Sequence, residues 1–243
     1  MTNTYKIGGK IIEINSVYEE VHTLCRDYFC GETPDFTVKT SQSDIDYERK
    51  KSAMEDEKEG IPVRNFPDSY LETLAVYRKI SENLLVYDTI LFHGSVIAVD
   101  GAGYLFTAKS GTGKSTHTRL WREYFGERAV MVNDDKPLLQ ITENGVLVHG
   151  TPWDGKHHLS RNISVPLKAI CILTRAEENH IGQVTKSVAY PMLLQQAYRP
   201  QNPLKMRKTL ELLDKIPDNI ALYRLGCNME TEAAEIAYNA MKG

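Results

Sequence analysis

The sequence predicts an α/β protein in which a mixed-sheet core follows a small α+β lobe, and three observations carry that expectation. From residue 90 onward short apolar runs alternate with helical patterns. A glycine-rich loop stands between one such run and the start of a helix. The character of the chain changes near residue 88, which divides it into a lobe at 1–88 and a core domain at 89–243.

In the lobe, Lys6 to Ile14 carries Gly8-Gly9 between two apolar runs, the pattern of a hairpin. Ser16 is expected to cap a helix reaching Tyr28, and Asp35 to Thr40 reads as a further strand. The charge-rich stretch from Asp44 to Gly60 suits a solvated helix or a loop and suggests no chemistry. From Ser69, residues Leu74, Tyr77, Ile80, Leu84 and Tyr87 recur at three or four positions, the period of one buried helical face. In the core the expected strands are Leu91 to Val99, Tyr104 to Ala108, Ala129 to Val132, Val146 to Val148, Ala169 to Leu173 and Ile220 to Leu225. Helices are expected from Lys114, near Val188 to Tyr198 and Pro203 to Leu213, and at the C-terminus. There Asn228 suits an N-cap, and Ala233, Ala237 and Met241 share a face.

Composition narrows the function classes. With 243 residues, 42% of them hydrophobic, the chain can bury a full core. A net charge of −3 offers no basic excess for a run of nucleic-acid phosphates. No basic-then-apolar leader opens the sequence, and no stretch approaches the roughly 18 apolar residues of a membrane span, so a cytoplasmic protein is expected. Cys25, Cys30, Cys171 and Cys227 lack paired spacing and read as reduced thiols, not as a zinc or redox motif.

The strongest local signal is AKSGTGKS, Ala108 to Ser115, after the run Tyr104 to Thr107 and before a helix through Leu120 and Trp121. This is the context of a phosphate-binding P-loop, or Walker A motif. Gly111 and Gly113 allow a tight turn whose N–H groups converge on phosphate oxygens, and the helix N-terminus adds its partial positive charge. The expected nucleotide-binding set is Ser110, Gly111, Thr112, Gly113, Lys114, Ser115 and Thr116. Lys114 reaches the outer phosphates and the Ser115 hydroxyl meets Mg²⁺. The pattern ordinarily opens with glycine, and Ala108 in that place is expected to cost about 1 kcal/mol if its φ must be positive.

The apolar run Ala129 to Val132 ends at Asn133-Asp134-Asp135-Lys136. Acids at the end of a buried strand beside a phosphate loop suit metal holding and proton acceptance. Both are candidate catalytic residues, with Ser115 and Asp135 as the metal set. Asp100-Gly101 is the dipeptide of tight hairpin turns. A two-residue loop there places His93 opposite Ala108, and a four-residue loop opposite Ser110, so either register sets it beside the phosphates. A second cluster, HGTPWDGKHHLSRN from His149 to Asn162, is rich in groups for an anionic or polar acceptor. Lys156 and Arg161 are its candidate phosphate contacts, and Trp153 its candidate pocket wall.

The segment HGSVIAVDGAGYLFTAKSGTGKS, His93 to Ser115, resembles the catalytic core of bacterial HPr kinase/phosphorylase and its kinase relatives, a fold also similar to the nucleotide-binding part of phosphoenolpyruvate carboxykinase. The likeness covers roughly residues 90 to 225 and is specific between 91 and 136. It extends to short HPr-kinase-like proteins encoded near peptide-modification or metabolic genes. The resemblance implies a mixed-sheet P-loop core, ATP with Mg²⁺, and proton transfer from a serine hydroxyl assisted by a histidine and one aspartate of a pair. His93, Lys114 and Asp134-Asp135 occupy the corresponding positions. The leading expectation is an ATP-dependent kinase that phosphorylates a hydroxyl on a small metabolite or on a peptide or protein. The alternatives are a nucleotide-binding regulator with little or no transfer, and a carboxykinase-like lyase. The lyase would need a second metal site and a carboxylate-binding arginine that the sequence does not identify.

Overall fold

The computed structural model describes residues 1–155 and 157–243 and divides into two compact units, Met1–Asn83 and Leu84–Gly243. In the first, β1 (Thr2–Ile7) and β2 (Lys10–Asn15) form a hairpin whose turn residues Gly8 and Gly9 have φ of 61° and 74°. That left-handed conformation is the one two-residue hairpins select and glycine adopts without penalty. The short helix α1 (Glu20–Leu24) follows, and β3 (Phe36–Lys39) pairs parallel with β2. Ser16 does not cap a helix through Tyr28, as the sequence suggested. Its hydroxyl donates to the Tyr18 carbonyl, and the Val17 and Tyr18 amides go to the buried Glu72 carboxylate at 2.7 Å each.

The charge-rich segment is helix α2 (Gln42–Glu59), opened by a capping box at Ser41 and ended by Gly60 at φ 69°. Helix α3 (Asp68–Leu84) buries Tyr77, Ile80 and Leu84 of the expected face, joined by Leu71, Ala75 and Val76, whereas Leu74 is half-buried and Tyr87, half-buried too, lies beyond the helix.

The second unit is built on a curled mixed sheet of nine strands. Its elements are β4 (Thr89–Leu91), β5 (Ser95–Val99), β6 (Ala102–Thr107), α4 (Lys114–Phe125), β7 (Ala129–Asn133), β8 (Leu138–Thr142) and β9 (Gly145–His149). They continue with β10 (Ser164–Arg175), β11 (His180–Gln183), α5 (Lys186–Gln196), α6 (Pro203–Asn219), β12 (Ala221–Cys227) and α7 (Glu232–Met241). The strand path runs β4-β8-β9-β10-β6-β5-β7, with β12 on β10 and β11 on β12. The long β10 pairs parallel with β6 and β12 and antiparallel with β9. Two strands, β8 and β11, have no counterpart in the sequence reading. The last helix is preceded by Thr231 at its cap position, while Asn228 instead accepts the Glu230 amide in a local turn.

Side chains alternate across this sheet with the period of two that a doubly covered strand requires. Val96, Ala98, Ile170 and Ile172 face a core with α5 and α6; Ile97, Val99, Cys171 and Leu173 face one with α4 and α7. The second core is aromatic: Trp121 is fully buried against Tyr104, Phe106, Phe125 and Tyr238. Its indole N–H donates to His117 Nε2 at 3.0 Å, and burial pushes the His117 pKa down to about 3, so the ring stays neutral. This packing holds the loop-bearing end of α4 on the sheet.

Candidate functional site

The β5–β6 hairpin closes in a two-residue turn, the first of the two registers the sequence left open. Asp100 and Gly101 take φ of 51° and 82°, and Val99 pairs with Ala102 through to Ser95 with Phe106. After β6 the chain enters the phosphate loop, where Gly111 and Gly113 adopt φ of 75° and 123°. These positions need glycine. Ala108 does not: its φ is not positive, and its methyl is fully buried in the aromatic core, so the penalty expected from the sequence does not arise. The loop carbonyls of Gly111 and Thr112 accept from Arg175 at the end of β10, at 2.6 and 3.4 Å. Arg175 has no motif around it, and only the parallel pairing of β10 with β6 brings it to the loop.

The expected single strand Leu91 to Val99 is interrupted. Between β4 and β5, Phe92 and Gly94 donate to the carbonyls of Pro137 and Asp135, and His93 donates to Gln196 O at 2.9 Å. The register that pairs Thr89 with Gln140 and Val96 with Asn133 carries through this stretch and sets Gly94 opposite Asp135 and Ser95 opposite Asp134. Gly94 suits the place, since a Cβ there would lie 3.1 Å from both Leu105 Cδ2 and the Phe106 carbonyl. The consequence is two side-chain pairs. His93 Nε2 lies 3.1 Å from Asp135 Oδ1, and the Ser95 hydroxyl donates to Asp134 Oδ1 at 2.8 Å. Ser95 Oγ also lies 3.0 Å from Thr118 Oγ1, which ties the acid to α4.

Burial alone would raise the Asp135 pKa, but the His93 hydrogen bond and the charges of Lys136, His93 and Lys114 outweigh it and hold the carboxyl below its usual value. Lys114 moves the other way. Desolvation lowers its pKa, with Asp135 and Asp134 opposing, and its ammonium reaches back to the Ala108 carbonyl at 3.5 Å.

These groups line one cleft of about 740 Å³, within the roughly 300–1,000 Å³ usual for ligand pockets. It brings together His93, Ser110, Gly111, Gly113, Lys114, Ser115, Thr116, Asp134 and Asp135 from the expected set. Thr112 is not among its lining residues, and its carbonyl turns to Arg175. The His149 to Asn162 segment reaches the cleft through Gly155, His157 and Leu159. Trp153 and Arg161 do not line it: the first is buried, with its carbonyl taking bonds from Asn133 and Thr151, and the second is exposed. Lys156 lies outside the described residues.

Sequence reasoning passed over Asn133. Fully buried, it accepts the amides of Asp135 and Lys136 at 2.9 and 2.6 Å through Oδ1 and donates through Nδ2 to Thr151 and Trp153. One side chain thus shapes both the acidic turn and the loop facing it. Asn133→Ala is expected to cost about 2 to 4 kcal/mol, because buried amides and carbonyls lose partners together. Urea unfolding at unchanged m-value reads that loss. A variant within about 0.5 kcal/mol of wild type would deny Asn133 this role.

Among the described residues no group of three or more His, Cys, Asp or Glu side chains is poised to hold a metal. The metal would depend on hydroxyl and phosphate oxygens besides one or two carboxylates, as Mg²⁺ sites on nucleotides commonly do. The four cysteines are unpaired. No described helix is long and apolar enough to cross a membrane.

With this geometry in view, comparison with known proteins places the chain. The family model described as SynChlorMet cassette protein ScmC matches residues 68–227, more than half of the sequence. The chain belongs to the ScmC family. The matched segment takes in the loop, the acidic turn and His93, and it ends with β12. No curated protein matches the chain. Among solved structures, the HPr(Ser) kinase/phosphatase from Coxiella burnetii is similar over 63% of this chain and 99% of its own, at 12% identity and a TM-score of 0.35. That likeness is too loose to transfer any residue's role.

Proposed function

We propose that this ScmC-family chain is an ATP-dependent phosphotransferase that moves the γ-phosphoryl group from Mg²⁺-ATP to a hydroxyl acceptor, on a small molecule or on a peptide or protein. The observation that carries the reading is the His93–Asp135 pair at 3.1 Å in the same cleft as Lys114 and the phosphate loop. A loop alone suits any nucleotide binder, whereas a carboxylate oriented by an imidazole beside it suits proton removal.

In this reading the loop amides and Lys114 hold the triphosphate, and the acceptor hydroxyl stands between Asp135 and the γ-phosphorus. Its oxygen forms the new bond to phosphorus as the bond to the β,γ-bridging oxygen breaks. ADP leaves, and the hydroxyl proton passes to Asp135. Mg²⁺ supplies charge neutralisation across the phosphates when bound. Ser115 and Asp134 are the residues we assign to hold it, because Asp134 is tied through Ser95 and Thr118 to the first turns of α4. This moves the metal role from Asp135 to its neighbour and frees Asp135 for the proton.

Incubation with γ-labelled ATP, Mg²⁺ and a fractionated extract of metabolites and peptides is expected to leave label on a hydroxyl of one fraction, dependent on His93 and Asp135. Tight ATP binding with label found only in inorganic phosphate, or nowhere but ATP, would favour the regulator reading instead.

A further inference from the structure

The cleft extends beyond the residues that phosphate transfer uses. Along α4, Ser115, Arg119 and Arg122 are spaced by four and three positions, so they share one face, and all three line the cleft. At 1.5 Å of rise per residue the two guanidinium-bearing positions lie roughly 6 and 10 Å along the helix from Ser115. Gly155, His157 and Leu159 line the same cleft. The two arginines differ in their bonding. Arg119 is paired with Glu123 one turn on. The Nε of Arg122 is buried and has no acceptor among the described residues.

A guanidinium N–H taken from water without an acceptor is costly, and a planar arginine fork matches carboxylate or phosphate oxygens. The carboxylates that line the cleft are already engaged: Asp134 by Ser95, and Asp135 by His93 and Lys136. The arginine end of the cleft therefore has cationic donors in excess of its own acids.

We infer that this end is the acceptor subsite, and that the acceptor carries an anionic oxygen group, a carboxylate or a phosphate, besides the hydroxyl that is phosphorylated. Arg122 binds that group, with Arg119 beside it. The inference rests on the phosphotransferase reading and adds the chemical class of its acceptor. It also accounts for a helix face that the triphosphate, held at the loop, does not need.

The test uses the full chain saturated with Mg²⁺ and a non-hydrolysable ATP analogue, so that the phosphate loop is occupied. Inorganic phosphate is then titrated as the anion probe and followed by calorimetry. Wild type is expected to bind phosphate, Arg122→Gln to weaken it at least 10-fold, and Arg122→Lys to recover part of the loss. Arg119→Gln, at an exposed position, gives a second variant whose folding is not in question, and it should weaken the probe to a smaller degree. Affinity for the analogue is measured on every protein. Absence of phosphate binding to the loaded wild type, or equal binding by the Arg122 variants, would overturn the subsite. So would a matching loss of analogue affinity in Arg122→Gln, which would give the arginine to the nucleotide. If wild type never binds the analogue, the phosphotransferase reading fails instead, and the two failures are distinct.

Discussion

Replacement of Lys114 by alanine is expected to remove phosphoryl transfer and to weaken Mg²⁺-nucleotide binding by at least 10-fold, with the fold retained. The lysine side chain sits in the loop and feels both carboxylates of the acidic turn. Its ammonium supplies charge to the outer phosphates, where negative charge is densest and where the transferred group departs. Its present partner is a carbonyl at 3.5 Å, a weak bond, so little holds it from a phosphate oxygen. Desolvation favours the neutral amine, and the two aspartates favour the ammonium. A bound triphosphate would add to the second influence. Calorimetry with a non-hydrolysable analogue and the transfer assay give the two readouts. Unchanged affinity together with unchanged transfer would remove the phosphate-loop reading and, with it, the proposed function.

Asp135→Asn is expected to split binding from transfer. Nucleotide affinity should stay near that of wild type, while transfer falls by roughly 10²- to 10⁴-fold, the usual scale of a general base. Asp134→Asn should act on the other side and weaken Mg²⁺-dependent nucleotide binding first. His93→Ala should follow Asp135→Asn with a smaller loss, because the imidazole orients the carboxylate at 3.1 Å and does not itself receive the proton in this scheme. The pH dependence has a defined sign. His93, Lys136 and Lys114 hold Asp135 below the ordinary carboxylate range against the upward push of burial, so the base stays ionised at neutral pH. Transfer should therefore show no loss assignable to this carboxyl until pH falls below the ordinary aspartate value. The same sign holds for stability. A carboxyl with a depressed folded pKa contributes stability above its unfolded value, and that contribution is lost as pH falls through the folded one. Wild-type transfer by Asp135→Asn would end the proton-relay scheme. Transfer lost only through lost nucleotide affinity would return Asp135 to the metal.

Much of the site could be read in the sequence because much of it is local. The phosphate loop is a run of eight residues between a strand and a helix, and its two glycines take the positive φ that their chemistry permits. Asp100-Gly101 marked the turn of its hairpin and narrowed its register to two, of which the structure has the tighter. The apolar spacing along α3 marked most of its buried face, and the short apolar runs marked the strands that are buried in the core.

What the tertiary structure decided is where distant segments meet. The hairpin reading placed His93 near the loop, but its partner comes from another pairing, in which residues 89–96 run antiparallel to 133–140 and set His93 against Asp135. That contact spans about forty residues, and no local pattern reports it. Arg175 at the loop, Asn133 beneath the acidic turn and Arg122 in the cleft wall are likewise ordinary residues until the sheet curls. The reverse holds for Trp153 and Arg161, whose chemistry suited a binding loop but whose backbone turns one inward and leaves the other on the surface. Composition can nominate a side chain, but its direction depends on backbone hydrogen bonds made across the sheet, and those are settled only when the whole core closes.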